Sequence, residues 1–188
     1  FFAYLERRSP VCAAFCKTAP LLGLAREIIG SEDLDVGWNQ AIVKPPGKGK
    51  AFAWHQDAHY AVSGQHAAGI PRDEYLRRGW NITVWIAITR TTVENGTLWV
   101  VPGRHRDGLL PHVWSEENRE WQCQIDTSTK IPAVLERGQV LVFTSLTPHG
   151  SGPNVSNEVR MAYQIGYARP GMLKNDYQIP ALRGGRTA

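Results

Sequence analysis

Two side chains that can bind a metal ion stand close together in residues 54–59, WHQDAH. A single residue separates His55 from Asp57, and alternate side chains of a β-strand point to the same face. We therefore expect this imidazole and this carboxylate to project together from one strand segment. Two His and one carboxylate form the ligand set of non-heme iron sites with open positions. The segment thus predicts a site for a divalent metal such as Fe(II), provided that a second His comes from elsewhere.

The second candidate ligand is His149, within residues 147–152, TPHGSG. It follows a hydrophobic strand, and its small neighbours leave room for a ligand beside a metal. Arg160 comes eleven positions later, on the next predicted strand. An antiparallel hairpin would put Arg160 opposite His149, with the Cα atoms about 5 Å apart. The Arg160 guanidinium would then pair with a ligand carboxylate, as in a dicarboxylate such as 2-oxoglutarate whose other end chelates iron.

Composition excludes several classes of function. The 188 residues suit one domain with a full core, and 43% hydrophobic with 20% charged residues is ordinary for a globular protein. The net charge of +4 comes from scattered basic residues, so we expect no nucleic-acid partner. No apolar run approaches the ~20 residues of a membrane span, and no signal peptide is visible. We therefore expect no membrane partner and a cytoplasmic location. The three Cys are odd in number and lack the spacing of a zinc site, so we expect reduced thiols. No pattern in the sequence indicates an oligomeric state.

The predicted elements are helices first and then roughly eight short to medium strands. We expect helices in residues 1–30, strands throughout residues 35–168 and an extended tail in residues 169–188. This pattern predicts a single mainly β domain, a double-stranded β-helix (a cupin-like jelly roll) with flanking N-terminal helices. The narrow interior of such a fold holds one small ligand and a metal. The chain begins without Met, and we expect some N-terminal residues to be missing from it.

Taken together, the motifs resemble the phytanoyl-CoA dioxygenase family of Fe(II)- and 2-oxoglutarate-dependent oxygenases. The matching pieces run in family order and are residues 44–46 (KPP), 55–60 (HQDAHY), Trp85, 95–105 (NGTLWVVPGRH), 149–152 (HGSG) and Arg160. The resemblance implies that the catalytic residues are the iron ligands His55, Asp57 and His149. It also implies a 2-oxoglutarate site formed by Arg160, Ser151, Lys44, Gln56 and Trp85. Gln56 has the opposite parity to the ligands, so its contact with 2-oxoglutarate requires an irregular strand.

The same resemblance implies an oxidoreductase that uses O₂ to hydroxylate an unactivated C–H bond of a small molecule, releasing succinate and CO₂. The carboxylate of Asp57 favours hydroxylation or another oxidation, such as desaturation, because related halogenases have Ala or Gly there. Two alternatives remain open from the sequence. One is a non-catalytic jelly-roll protein, and the other is a cupin-like metal-binding protein that does not use 2-oxoglutarate. The second alternative has no need of Arg160. No motif identifies the substrate.

Overall fold

The structure, a computed structural model, describes residues 2–63, 71–78, 81–172 and 179–182. Its helices are α1 (Leu5–Arg8), α2 (Pro10–Phe15), α3 (Ala19–Ile29), α4 (Asp57–Val62) and α5 (Arg72–Arg78). Its strands are β1 (Phe2–Ala3), β2 (Leu34–Lys44), β3 (Phe52–His55), β4 (Ile82–Ala87), β5 (Leu98–Val100), β6 (His112–Ser115), β7 (Glu120–Cys123), β8 (Ile131–Pro132), β9 (Val140–Thr144), β10 (His149–Ser151), β11 (Arg160–Ala168) and β12 (Ile179–Leu182).

The strands form two antiparallel sheets and a separate hairpin. The larger sheet has the order β1-β2-β11-β4-β9, with β12 also paired to β2. The smaller sheet has the order β3-β10-β5-β8, and β6 pairs with β7. Leu98 of the smaller sheet packs against Trp85 and Phe143 of the larger one, so the sheets meet across an apolar layer. The predicted jelly roll is confirmed.

The N-terminal helices cover the outer face of the larger sheet. Along β4, Ile82 and Val84 join a buried cluster that includes Leu21 and Ala25 of α3. Side chains of a strand alternate between its faces, so Thr83 and Trp85 face the other way, towards the interior of the roll. Burial on both faces explains why every residue of β4 is buried. None of the described helices combines the length and the apolar character needed to cross a bilayer.

The chain ends differ from the expected helical start and extended tail. A two-residue strand, β1, precedes the helices and pairs with Ala41 and Gln40 of β2. The strand β12 lies within residues 169–188 and also pairs with β2. Both strands are short, and only pairing with distant β2 defines them, which local patterns do not reveal. The rest of the expected tail, residues 173–178 and 183–188, lies outside the described residues.

Candidate metal centre

Three side chains of types that can bind a metal converge where the last residue of β3 pairs with the first residue of β10. His55 is the last residue of β3, and His149, the first residue of β10, pairs with it across the smaller sheet. Asp57 is the first residue of α4. One potential ligand atom from each residue lies within 4.8 Å of the others. The Asp57 Oδ1 atom is 3.6 Å from His55 Nε2 and 3.7 Å from His149 Nε2. These separations allow the three atoms to bind one ion.

Backbone carbonyls fix the orientation of both imidazoles. His55 Nδ1 lies 2.8 Å from the Ala53 carbonyl, and His149 Nδ1 lies 2.9 Å from the Thr147 carbonyl. A carbonyl oxygen only accepts, so each Nδ1 carries the proton and donates it. The lone pair of each ring is then on Nε2, the atom that faces Asp57. Partners of this kind commonly hold metal-binding histidines in their ligating tautomer.

The charge states of these groups at neutral pH also suit a metal. Burial lowers the pKa of His149 to about 4, with a further contribution from neighbouring His55. Burial opposes ionisation of Asp57, but His149, His55 and the Thr83 hydroxyl outweigh it and hold the pKa of Asp57 below its usual value. The Thr83 hydroxyl donates to Asp57 Oδ2 at 3.0 Å. The site therefore presents a neutral imidazole and a carboxylate, the forms that coordinate metals.

The strand-based reason for expecting His55 and Asp57 on one face is wrong. The strand ends at His55, Gln56 is extended (φ −117°, ψ 129°), and helix α4 begins at Asp57. The Asp57 carboxylate reaches the site from the first turn of this helix. The structure brings the two side chains together through the strand-to-helix junction rather than through strand alternation.

Gln56 does not line the cavity next to His55, and its expected contact with 2-oxoglutarate has no support in the structure. Its side chain is fully buried on the other side of the junction. The Nε2 atom donates to the carbonyls of Gly108 (2.9 Å) and Leu146 (2.6 Å), and Oε1 accepts from Leu110 N at 2.8 Å. Gln56 thus ties the ligand-bearing junction to two neighbouring loops.

Two buried cations occupy another part of the same cavity. Arg160 on β11 pairs in register with Lys44 on β2, and both side chains line the cavity with Ser151. Lys44 Nζ donates to the Ser151 hydroxyl at 2.7 Å and to the Gly152 carbonyl. Burial and the charge of Arg160 lower the pKa of Lys44 to about 7, and burial lowers the pKa of Arg160 to about 10. Two buried cations side by side are costly unless an anion compensates their charge, so this part of the cavity suits an anionic ligand.

Several donors at this place lack a protein partner among the described residues. The Arg160 side chain donates from Nη2 to the Gly96 carbonyl at 2.8 Å, but its Nε and Nη1 have no acceptor. The buried Trp85 Nε1 also lacks one, and the guanidinium carbon of Arg160 lies 5.5 Å from the Trp85 ring centroid. Buried polar groups are almost always hydrogen-bonded, so these donors indicate a ligand with acceptor oxygens. A carboxylate fits this donor set.

The predicted hairpin between His149 and Arg160 is also wrong. His149 belongs to the smaller sheet and pairs with His55 and Val100, whereas Arg160 begins a strand of the larger sheet. Residues 152–159 therefore cross from one sheet to the other instead of turning back. The guanidinium and the three candidate ligands, although on different sheets, line the same cavity.

The cavity that contains both groups has a volume of about 320 Å³. This lies near the lower end of the range for small-molecule sites. Its remaining lining is mixed, with apolar and neutral polar side chains: Ala3, Tyr4, Trp38, Gln40, Ile42, Phe52, Tyr60, Trp85, Leu98, Phe143, Gly150 and Gln164. Residues from β1, β2, β3 and β11 share this surface, so the N-terminal strand forms part of the wall.

Sequence reasoning missed several of the residues that shape this site. Thr83 lies two positions before Trp85 on the same strand, and its matching parity was the available signal. His112, which belongs to none of the matching motifs, accepts a hydrogen bond from Gln56 N at 3.2 Å and stacks on His59 with ring centroids 4.1 Å apart. Burial lowers the pKa of His112 to about 4, so the ring is neutral and suited to accept. Only the folded chain brings residues 56 and 112 together.

Comparisons with known proteins agree with this geometry. The family model described as phytanoyl-CoA dioxygenase (PhyH) matches residues 4–162. A probable phytanoyl-CoA dioxygenase of Caenorhabditis elegans is 29% identical over 175 residues, 85% of this chain and 51% of that protein. A methylphosphonate hydroxylase of Gimesia maris is 33% identical over 144 residues, 74% of this chain and 48% of that protein. The chain thus spans about half the length of these curated relatives.

Solved structures have the same fold. The structure of EvdO2 from Micromonospora carbonacea complexed with 2-oxoglutarate has a TM-score of 0.71 and 25% identity, covering 95% of this chain and 70% of that one. Together with the family match over most of the sequence, this likeness identifies the group to which the protein is related. The chain belongs to the phytanoyl-CoA dioxygenase family.

Proposed function

We propose that this protein is an Fe(II)- and 2-oxoglutarate-dependent dioxygenase that hydroxylates a C–H bond of a small organic molecule. In this proposal, His55, Asp57 and His149 bind the iron. The 2-oxoglutarate is bound by Arg160, Ser151, Lys44 and Trp85. The family membership and the 2-oxoglutarate in the EvdO2 complex support this assignment.

The proposal rests on one observation: a set of candidate metal ligands and a set of unpaired donors lie in one cavity of about 320 Å³. Two imidazoles and a carboxylate have ligand atoms within 4.8 Å of one another, a set that suits iron and leaves coordination positions open. Unpaired donors of Arg160 and Trp85 lie in the same space. A metal-binding protein that does not use a dicarboxylate would have no need to bury Arg160 in this way, because an unpaired buried cation is costly.

Bound iron would supply, with O₂ and 2-oxoglutarate, the oxidising chemistry that converts a C–H bond to an alcohol while 2-oxoglutarate becomes succinate and CO₂. The protein contributes binding and orientation. Arg160 and Lys44 hold the far carboxylate of 2-oxoglutarate and so fix the position of its other end. Ser151 accepts from Lys44 and keeps the ammonium group turned towards the cavity.

The Thr83 hydroxyl holds one oxygen of Asp57 and leaves Oδ1 to face the two Nε2 atoms. Phe52, Leu98 and Phe143 give the cavity apolar walls, and a substrate that fills it would displace water from the space beside the metal ligands. A dry site strengthens the charge interactions of the bound ligands and protects reactive species from side reactions.

Anaerobic titration tests this proposal. Adding Fe(II) and then 2-oxoglutarate to the protein should produce the weak visible charge-transfer band of the iron chelate. Asp57→Ala should weaken Fe(II) binding, so that the band needs more Fe(II) to appear, because one of the three protein ligands is lost. Absence of the band in the wild-type protein would favour a binding protein or an enzyme that does not use 2-oxoglutarate.

A further inference from the structure

Two glutamine side chains stand next to each other on the cavity wall. Gln164 of β11 pairs in register with Gln40 of β2 on one side and with Trp85 of β4 on the other. Both glutamines line the same cavity as the candidate metal ligands. Their position follows from strand alternation, since residues 38, 40, 42 and 44 of β2 all face the interior.

The amides of this pair have unused hydrogen-bonding capacity. Their one mutual contact is Gln40 Nε2 to Gln164 Oε1, at 3.5 Å, the outer limit of a hydrogen bond. Gln164 is only 7% exposed, yet its Nε2 has no protein partner among the described residues, and neither does Gln40 Oε1. Exchanging the O and N atoms of both amides would still leave one donor and one acceptor free. The free donor and acceptor of this largely buried pair face the cavity and are available to a ligand that enters it.

The proposed iron and 2-oxoglutarate do not use these amides. The candidate metal ligands are on the smaller sheet and α4. The two cations for the carboxylate, Arg160 and Lys44, lie four residues away from the glutamines along β11 and β2, and of the carboxylate donors only Trp85 lies beside Gln164. Gln40 lies between Trp38 and Ile42 along β2, which form an apolar wall on the same face. The amides therefore form an uncharged polar spot within an apolar surface, in the part of the cavity left for the substrate.

We propose that Gln40 and Gln164 form a substrate subsite that recognises an uncharged hydrogen-bonding group, a carboxamide, carried on an apolar ring or chain. This proposal rests on the proposed oxygenase function, since it assigns the substrate side of the same cavity. A carboxamide offers one acceptor to Gln164 Nε2 and one donor to Gln40 Oε1, so both amides are satisfied at once. A carboxylate offers only acceptors and would repel Gln40 Oε1. An ammonium group offers only donors.

Binding of two matched probes tests the subsite. Cyclohexanecarboxamide and cyclohexanecarboxylate have the same ring and differ in the group that the amides would read. Ligand-observed NMR gives the dissociation constant of each probe for the full chain, under anaerobic conditions with Fe(II) and 2-oxoglutarate present. The wild-type protein should bind the carboxamide more tightly than the carboxylate.

Gln164→Met and Gln40→Met keep the size of the side chain and remove its hydrogen bonds. Each should weaken binding of the carboxamide by about threefold to tenfold, the value of one neutral hydrogen bond. Affinity for 2-oxoglutarate should stay the same in both variants, and Gln40→Met, which removes the repelling Oε1, should not weaken binding of the carboxylate. Gln124→Met, at an exposed glutamine, is the matched control and should change neither affinity. Because Gln40 is only half-buried, its variant keeps the test available if Gln164→Met does not fold.

Three results would overturn the proposal. They are equal wild-type affinity for the two probes, unchanged carboxamide affinity in both variants, and weaker 2-oxoglutarate binding in Gln164→Met, which would move this residue to the cosubstrate site. Failure of the oxygenase proposal would look different, because the chelate band would then be missing from the wild-type protein. Carboxamide binding measured without iron would still report on the glutamine pair.

Discussion

Replacing Arg160 with Met should separate cosubstrate binding from protein stability. Arg160 is 1% exposed, and its Nε and Nη1 have no protein acceptor. The Met side chain has a comparable length and fills the same space without charge. In the variant, the far carboxylate of 2-oxoglutarate would lose a buried, charge-assisted pair and keep Lys44 as its one cationic partner. Losing one partner of such a pair costs about 2 to 5 kcal/mol, so the dissociation constant should rise by about 30-fold to about 4,000-fold.

The same change should not destabilise the protein much without 2-oxoglutarate. Arg160 then has one hydrogen bond, to the Gly96 carbonyl, and lies beside Lys44, a second buried cation. Substituting an apolar side chain for an incompletely paired buried charge is often neutral or stabilising. We therefore expect an unchanged or higher midpoint of thermal unfolding, together with much weaker binding of 2-oxoglutarate.

Isothermal titration calorimetry with 2-oxoglutarate, under anaerobic conditions with Fe(II), measures the affinity. Arg90→Met is the control, because Arg90 is exposed and pairs with exposed Glu136 at 2.9 Å. That variant should bind 2-oxoglutarate like the wild type. An Arg160→Met protein that folds and binds 2-oxoglutarate with wild-type affinity would refute the role given to the guanidinium.

Three further changes test other parts of the site. Thr83→Val removes the hydroxyl that donates to Asp57 Oδ2, so the affinity for Fe(II) should fall by about tenfold to 100-fold in a metal titration. An unchanged affinity would show that this hydrogen bond does not orient the Asp57 carboxylate. Burial lowers the pKa of Lys44 to about 7, and its charged form favours an anion, so the affinity for 2-oxoglutarate should decrease as the pH rises through about 7. Calorimetry should show a flatter pH dependence for Lys44→Met, and the same slope in both proteins would exclude Lys44 as its source. Gly166→Ala would place a Cβ 2.8 Å from Trp38 Nε1, so the free energy of unfolding should fall by about 1 to 3 kcal/mol in chemical denaturation. An unchanged free energy of unfolding would mean that the Trp38 side chain can move aside without cost.

The sequence predicted the fold because its strand and helix patterns are local. The β-branched run in β4 and the apolar periodicity of α3 each identify an element without reference to the rest of the chain. The short strands β1 and β12 were not predictable, because each depends on pairing with β2 and neither contains enough residues to show a period. The jelly roll could be predicted while its two end strands could not.

The site shows the same limit in more detail. The four residues His55, Asp57, His149 and Arg160 were selected by type and by family resemblance, and they share one cavity. The local geometry proposed for them was wrong, because a helix begins at Asp57 and residues 152–159 join different sheets. Both errors came from extending a regular strand or hairpin through a segment where the chain changes direction.

Residues that act across the sheets were beyond sequence reasoning. Gln40 and Gln164 are each unremarkable in their strands, and only the register of β2 with β11 makes them neighbours. His112 belongs to no motif in the sequence, yet it accepts a hydrogen bond from the backbone N–H of Gln56, between two candidate ligands. Gln56 differs, because its opposite strand parity already indicated that it would face away from the cavity.

One cavity should bind both a metal, through three side chains, and a dicarboxylate, through Arg160. A crystal structure of the protein soaked anaerobically with Mn(II) and 2-oxoglutarate tests it most directly. Anomalous scattering should locate one Mn(II) at coordination distance from His55 Nε2, His149 Nε2 and an Asp57 oxygen, with the far carboxylate against the guanidinium. An anomalous peak that places Mn(II) elsewhere, or a 2-oxoglutarate carboxylate that does not contact Arg160, would contradict the account.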